Sequence, residues 1–220
     1  SGGLVFFGAD DGTNGNNEPW RSDGTTAGTF ALGDIKPGPE GSMGSSGPAA
    51  GPPGIAYLVL DDGTRGSELW TSDGTVAGTR LVKDLCEGPC SSNLDLTGDR
   101  SAVARGKFYF IANVAGVGTT GDLMKTDGTA AGTVLVRADI DPHAFSVAND
   151  RVFFVANGGN SGWQLWSSDG TEAGTQPVTD LPCGVRSETE AVGDTVFFPG
   201  NDCNEGDHGW ELWAVVTDPL

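Results

Sequence analysis

Apolar and polar positions alternate along this chain in short runs, each closed by Gly, Asn or Asp. The pattern is clearest between residues 144 and 181. AFSVAN (Ala144 to Asn149) alternates, and RVFFVAN (Arg151 to Asn157) is rich in β-formers. QLWSS (Gln164 to Ser168) follows a glycine loop, and TQPVTDL (Thr175 to Leu181) follows an Asp-Gly-Thr turn. Runs of this length between turn residues predict four antiparallel strands, here called A to D in chain order.

The unit repeats. Strand C and its turn read ELWTSDGTVAGT at Glu68 to Thr79, and recur as EPWRSDGTTAGT from Glu18, DLMKTDGTAAGT from Asp122 and QLWSSDGTEAGT from Gln164. A fifth copy, ELWAVV from Glu211, lacks the DGT half. Strand B recurs as LVFFGAD, IAYLVLD, KFYFIAN, RVFFVAN and TVFFPGN. Aligned on Trp20, Trp70, Met124, Trp166 and Trp213, the copies are 50, 54, 42 and 47 residues apart. A period of that length indicates propeller blades or a solenoid. Strands B and C carry apolar residues on both faces, as a blade packed between two others requires. A ring of four-stranded blades buries what one blade alone cannot. The expected fold is therefore all-β: a single five-bladed β-propeller domain over residues 1–220, built of four-stranded antiparallel blades. The repeated Trp fills the space between blades, and Met124 takes that slot in the third copy. Asp23, Asp73, Asp127 and Asp169 are expected to be structural turn residues, because Asp-Gly suits a hairpin. The chain starts at a strand B and ends at a strand C, so the terminal blades are incomplete. Either the ends improvise, or a longer array supplies the missing strands, or another chain completes the ring.

The recurring Glu-Leu-Trp-x-x-Asp-Gly-Thr-x-x-Gly-Thr resembles the ELWxxDGT repeat family, found in tandem in large exported or surface proteins of myxobacteria and related bacteria. Departures here are Pro19 for Leu, Asp122 and Gln164 for Glu, Met124 for Trp, and the missing DGT after Trp213. The resemblance implies an exported, propeller-like module, and it transfers no catalytic chemistry.

In a propeller the D–A and B–C connections share one face. The DGT turns, being C–D connections, lie on the other. The variable segments, Lys36 to Gly54, Asp61 to Ser67, Cys86 to Leu94, Ala115 to Asp122 and Asn201 to Trp210, all fall on the first face, where binding is expected. The four cysteines fall there as well. Of three possible pairings, topology favours Cys86 with Cys90 and Cys183 with Cys203. Free thiols or a zinc site are the alternatives. Disulfides place the protein in an oxidising compartment, secreted or at the cell surface.

Charge narrows the partners. Twelve basic residues stand against 30 acidic ones, a formal net charge of −18, without a basic patch. Nucleic acid and anionic membranes are not expected partners. No stretch is long and apolar enough to insert in a membrane, and no basic, apolar leader opens the chain. No GxSxG elbow, phosphate-binding glycine loop or spaced carboxylate pair marks an enzyme, and His208 would be the sole candidate base; a hydrolase is the least favoured alternative. Two binding readings are left. Acidic loops offer calcium the oxygen-rich set it prefers, at Asp10, Asp11, Asp61, Asp62 and Asp202, without matching the EF-hand spacing. Alternatively the loop face holds a glycan or a surface protein. Trp163 and Trp210, each three residues ahead of a strand-C Trp, would stack on a sugar ring beside Asn160, Asp207 and His208. The expected role is non-enzymatic recognition or structural display. The alternative is a calcium-stabilised or self-assembling array without a small-molecule ligand.

Overall fold

Every strand B and strand C run described above forms, and the computed structural model contains no helix among the residues it describes, which are 2–12, 17–44, 46–114, 121–157, 162–203 and 209–218. The strands make five antiparallel sheets, each a meander in chain order. Sheet 1 has β1 (Val5–Ala9), β2 (Glu18–Ser22) and β3 (Phe30–Ala31). Sheet 2 has β4 (Ala49–Ala50), β5 (Ala56–Asp61), β6 (Ser67–Ser72) and β7 (Arg80–Lys83). Sheet 3 has β8 (Ser101–Ala104), β9 (Lys107–Ala112), β10 (Asp122–Thr126) and β11 (Val134–Arg137). Sheet 4 has β12 (His143–Ala148), β13 (Arg151–Asn157), β14 (Trp163–Ser168) and β15 (Gln176–Pro177). Sheet 5 has β16 (Glu190–Val192), β17 (Thr195–Gly200) and β18 (Glu211–Val216). Three sheets thus have four strands. Among the described residues, sheet 1 has no strand A and sheet 5 no strand D.

Two local expectations needed correction. Strand D of the fourth copy, expected from Thr175 to Leu181, is only two residues long. The Thr179 hydroxyl accepts the Leu165 N–H at 3.0 Å, taking a bond that the backbone ladder would otherwise make. The Asp-Gly pairs, in turn, do not form tight two-residue hairpins. They open seven-residue loops, 73–79 in sheet 2 and its equivalents elsewhere.

Those loops hold themselves together. Asp73 Oδ1 accepts the Thr75 N–H at 2.9 Å and its hydroxyl at 2.7 Å, and Thr75 Oγ1 accepts the Gly78 N–H at 2.9 Å. The Thr79 hydroxyl donates to the Thr75 carbonyl, while Ser72 Oγ pairs with Thr79 Oγ1 and accepts the Gly74 N–H. The same set recurs around Asp23, Asp127 and Asp169. Both glycines of the motif are explained. Gly74 sits at φ 85°, and a Cβ on Gly78 would overlap the Asp73 carboxylate.

These bonds favour the ionised carboxylate. The Thr129 hydroxyl, then Lys107 and the Thr129 N–H, hold Asp127 down at about 2, and the corresponding Thr hydroxyls lower Asp23, Asp73 and Asp169. A carboxyl depressed in the folded state stabilises it fully above its unfolded value, here 3.8 for Asp127, and that stability disappears as pH falls through the folded value. Melting temperature measured against pH should therefore drop steeply between about pH 4 and pH 2, and Asp127→Asn should soften that limb. An unchanged acid limb in the variant would refute this assignment.

The core lies between sheets, not within one layer. Tyr57, Val59 and Leu69 of sheet 2 meet Phe108, Phe110 and Met124 of sheet 3, with Tyr57 and Phe108 stacked at 4.2 Å. Tyr109, Ile111 and Leu123 meet Val152, Phe154 and Trp166 of sheet 4. Phe153, Val155 and Leu165 meet Val196, Phe198, Val215 and Trp213 of sheet 5. The motif residues Leu69, Leu123 and Leu165 thus lie on the forward faces of their sheets, and Met124, Trp166 and Trp213 on the backward faces. The first strands β8, β12 and β16 contact one another in succession, which sets strand A on the inside of the curve.

The first residue of the motif is polar yet buried: Glu18 is 5% exposed, Glu68 and Asp122 0%, and Gln164 1%. It ties down the loop that leads into the next sheet. Glu68 Oε2 accepts the Leu85 N–H at 3.0 Å and the Ser92 hydroxyl at 2.8 Å. Glu18 accepts the Ile35 and Ser42 N–H groups, and Asp122 those of Asp139 and Val114. Gln164 Oε1 accepts the Leu181 N–H at 3.0 Å while its amide donates to the Leu181 carbonyl at 2.8 Å.

Candidate functional site

The anchored loops converge on the inner strands, and their ends frame a cavity. The connection before β12 is the most strained stretch here. Asp139, Asp141 and Ala144 all have positive φ, at 56°, 45° and 54°, although none is Gly. Strand β12 bulges between His143 and Ser146, and the Phe145 N–H turns to the Asp99 carbonyl at 2.8 Å. Bulges and strained backbone of this kind re-aim side chains next to sites. The Thr189 hydroxyl donates to the Ala144 carbonyl at 2.6 Å, drawing in the loop before β16.

The result is a polar cavity of ≈ 270 Å³ lined by Asp99, Arg100, Asp141, His143, Ala144, Trp163 and Ser187. Trp163, the first residue of β14, is 40% exposed there, and the His143 ring meets it edge-on at 4.7 Å. His143 Nδ1 lies 3.2 Å from the Asp141 carbonyl, a contact that only an Nδ1–H can use, and Nε2 is buried with no hydrogen-bond partner.

Trp210, 39% exposed, lies elsewhere on the same loop system. The Arg186 guanidinium sits 4.5 Å over its ring, a cation–π contact, while the Trp163 carbonyl accepts the N–H of the adjacent Val185 at 2.8 Å. Both Trp residues thus flank the loop containing Cys183, which is bonded to Cys203. Cys86 is bonded to Cys90. Asn160, Asp207 and His208 lie outside the described residues. His143, Asp99 and Arg100 are the site residues that sequence reasoning missed. They come from two separate loops, and only the polar residues ahead of strand A hinted at them.

The acidic loops do other work. Asp62 Oδ1 accepts the Thr64 and Arg65 N–H groups and the Thr64 hydroxyl, and its second oxygen pairs with Arg65. Although burial opposes it, these bonds hold Asp62 at about 2. Asp61 pairs with Lys36 at 2.8 Å, and Asp10 accepts the Gly12 N–H at 2.7 Å. Asp11 lines a smaller cavity with Glu18 and Trp20, and Asp202 precedes a disulfide cysteine. The five residues sit on three different B–C loops. Among the described residues, no group of three or more His, Cys, Asp or Glu is placed to hold a metal ion.

No family model matches the chain, and no curated protein matches it in sequence. Among solved structures, puromycin hydrolase superposes on 99% of this chain with a TM-score of 0.59 at 16% identity. A puromycin-hydrolyzing peptidase of Mycobacterium tuberculosis superposes on 98% with a TM-score of 0.53 at 14% identity. These are β-propeller-type hydrolases. The chain shares the fold of the part of them on which it superposes. It spans 37% and 36% of their lengths, and identity this low speaks for the fold alone. The two disulfides are compatible with an extracellular protein, and no helix among the described residues is long and apolar enough to cross a membrane.

Proposed function

We propose that the five sheets are five blades of an exported, propeller-type module of the ELWxxDGT repeat kind, and that it serves non-enzymatic recognition of a glycan at the loop-face cavity beside Trp163. The observation that carries this reading is the half-exposed Trp163 ring at the rim of a cavity lined by Asp99, Arg100 and Asp141. A sugar ring presents an apolar face that stacks on indole, and hydroxyls that a carboxylate accepts from and a guanidinium donates to. The positively charged Arg100 also admits acidic sugars into an otherwise strongly acidic protein. Strained, disulfide-tied loops fix such a surface before ligand arrives, which reduces the entropy lost on binding.

A glycan array followed by calorimetry on the hits tests the proposal. Trp163→Ala should weaken binding at least tenfold. Trp210→Ala, stacked under Arg186 away from the cavity, should change it little. Absence of any glycan hit, or equal binding by Trp163→Ala and the parent, would reject the site. The same titration run with calcium alone, read as melting temperature, tests the calcium-stabilised display module: a rise of several degrees would favour that reading instead.

A further inference from the structure

The cavity beside Trp163 has a neighbour across a single turn. Residues 97–101 lead into β8 and wall two cavities at once. Asp99 and Arg100 line the one beside Trp163. Thr97, Gly98 and Ser101 line a second of ≈ 470 Å³ between β4 and β8, together with Pro48, Ala50 and Leu96.

The dividing turn is held from both sides. Asp95 Oδ1 accepts the Thr97 N–H at 3.0 Å and its hydroxyl at 2.6 Å, and Asp95 Oδ2 pairs with Arg100 Nε at 3.2 Å. The Leu96 N–H reaches across to Ser46 Oγ at 2.9 Å, and the Asp99 carbonyl accepts the Phe145 N–H at 2.8 Å. Gly98, in the middle of the turn, is exposed with φ 60°. A Cβ built there would meet no atom within 4 Å beyond its chain neighbours. The partition between the cavities therefore carries no side chain at that point, and the way over it is open.

The two cavities differ in chemistry. The first holds Asp99, Arg100 and Asp141. The second, among the described residues, has no charged side chain, and sets the carbon surfaces of Pro48, Ala50 and Leu96 beside the hydroxyls of Thr97 and Ser101. At ≈ 270 Å³ the first is slightly smaller than an ordinary ligand pocket, about 300–1,000 Å³, and the second is the larger of the two. A mostly apolar wall with a few placed hydroxyls suits an uncharged ligand that is itself part hydrocarbon and part hydroxyl.

We infer that the two cavities form one extended site for a neutral oligosaccharide, with one unit against Trp163 and the units that follow running over Gly98 into the second cavity. The inference rests on the glycan reading of the Trp163 cavity and adds the length and class of the ligand. Once the first unit is bound, each further unit is held without another loss of translational freedom, so affinity grows with chain length. The turn is fixed before ligand arrives, by Asp95 on its own side and by Ser46 and Phe145 on its flanks, which keeps the two halves of the site in register.

The test is calorimetry on the full 220-residue chain with cello-, malto- and chito-oligosaccharides of one to six units. In at least one series the longest members should bind at least tenfold more tightly than the shortest member that binds. Gly98→Asn puts a side chain on the dividing turn with a residue that tolerates positive φ, and Ser101→Trp fills the second cavity. Each should cancel the gain with length and leave the shortest member bound as in the parent. Trp163→Ala should weaken every length. Unchanged melting temperatures of the variants would confirm folding. Affinity independent of length in the parent overturns this inference and leaves the Trp163 reading standing. So does a gain that survives both Gly98→Asn and Ser101→Trp, since the chain would then leave the cavity another way. Binding by none of the three series overturns it as well, while the glycan array decides the Trp163 reading separately.

Discussion

Trp166→Ala should lower the stability of the protein by about 3–5 kcal/mol, the range for removing a large aromatic side chain from a packed interior. Trp166 is 6% exposed and lies in the cluster between sheets 3 and 4, with Phe154 stacked at 6.5 Å and the Arg137 guanidinium 5.9 Å from its ring. The equivalent Trp213→Ala should lose less, because Trp213 is only partly buried at the edge of the next junction. Chemical denaturation of both variants measures the difference. Equal losses would mean that the junctions are not the seat of stability.

Glu68→Ala should be the next most damaging change, by about 1–3 kcal/mol for a buried N–H left without an acceptor. That N–H belongs to Leu85, itself 5% exposed, and with it goes the attachment of the loop carrying the Cys86–Cys90 disulfide. Glu68→Gln should behave differently. Burial raises the Glu68 carboxyl above its ordinary value of 4.5, against the opposing pull of the Leu85 and Ser92 hydrogen bonds. The folded state therefore holds the proton more tightly than the unfolded chain, and stability falls as pH rises from about 4.5 through the raised value. Glutamine keeps the acceptor and removes the charge, so Glu68→Gln should match or exceed the parent at pH 7 and lack that decline. Gln164 already occupies the same position in sheet 4. A glutamine variant as unstable as the alanine one would show that the charge itself matters.

Much of this fold was legible because its signals are local and repeated. The B and C runs announced their strands, since apolar residues on both faces of a short segment fit a sheet covered on both sides. The disulfides followed from strand order. The D strands were harder. Nothing in TQPVTDL tells that the Thr179 side chain replaces the backbone in the ladder. The motif Glu was misleading in a different way: a charged residue at the head of a strand reads as solvated, and only its exchange for Gln164 hinted at an uncharged, buried duty. Of the site, Trp163 was readable from its offset to Trp166. His143, Asp99 and Arg100 were not, because three-dimensional convergence of two inner loops leaves no trace in spacing.

The DGT loop has one more consequence. Its backbone donors are matched by acceptors within the loop, while its carbonyls accept from the sheet before it: Lys83 Nζ donates to the Thr133 carbonyl at 3.2 Å and Lys125 Nζ to the Gly170 carbonyl at 2.7 Å. A copy inserted or deleted between two others would have to re-form one junction of the same kind, an apolar face on an apolar face with a lysine reaching the next DGT loop. Such a chain can lengthen or shorten by whole units through recombination between its own repeats. The number of copies, more than any single residue, is then the quantity free to vary among its descendants.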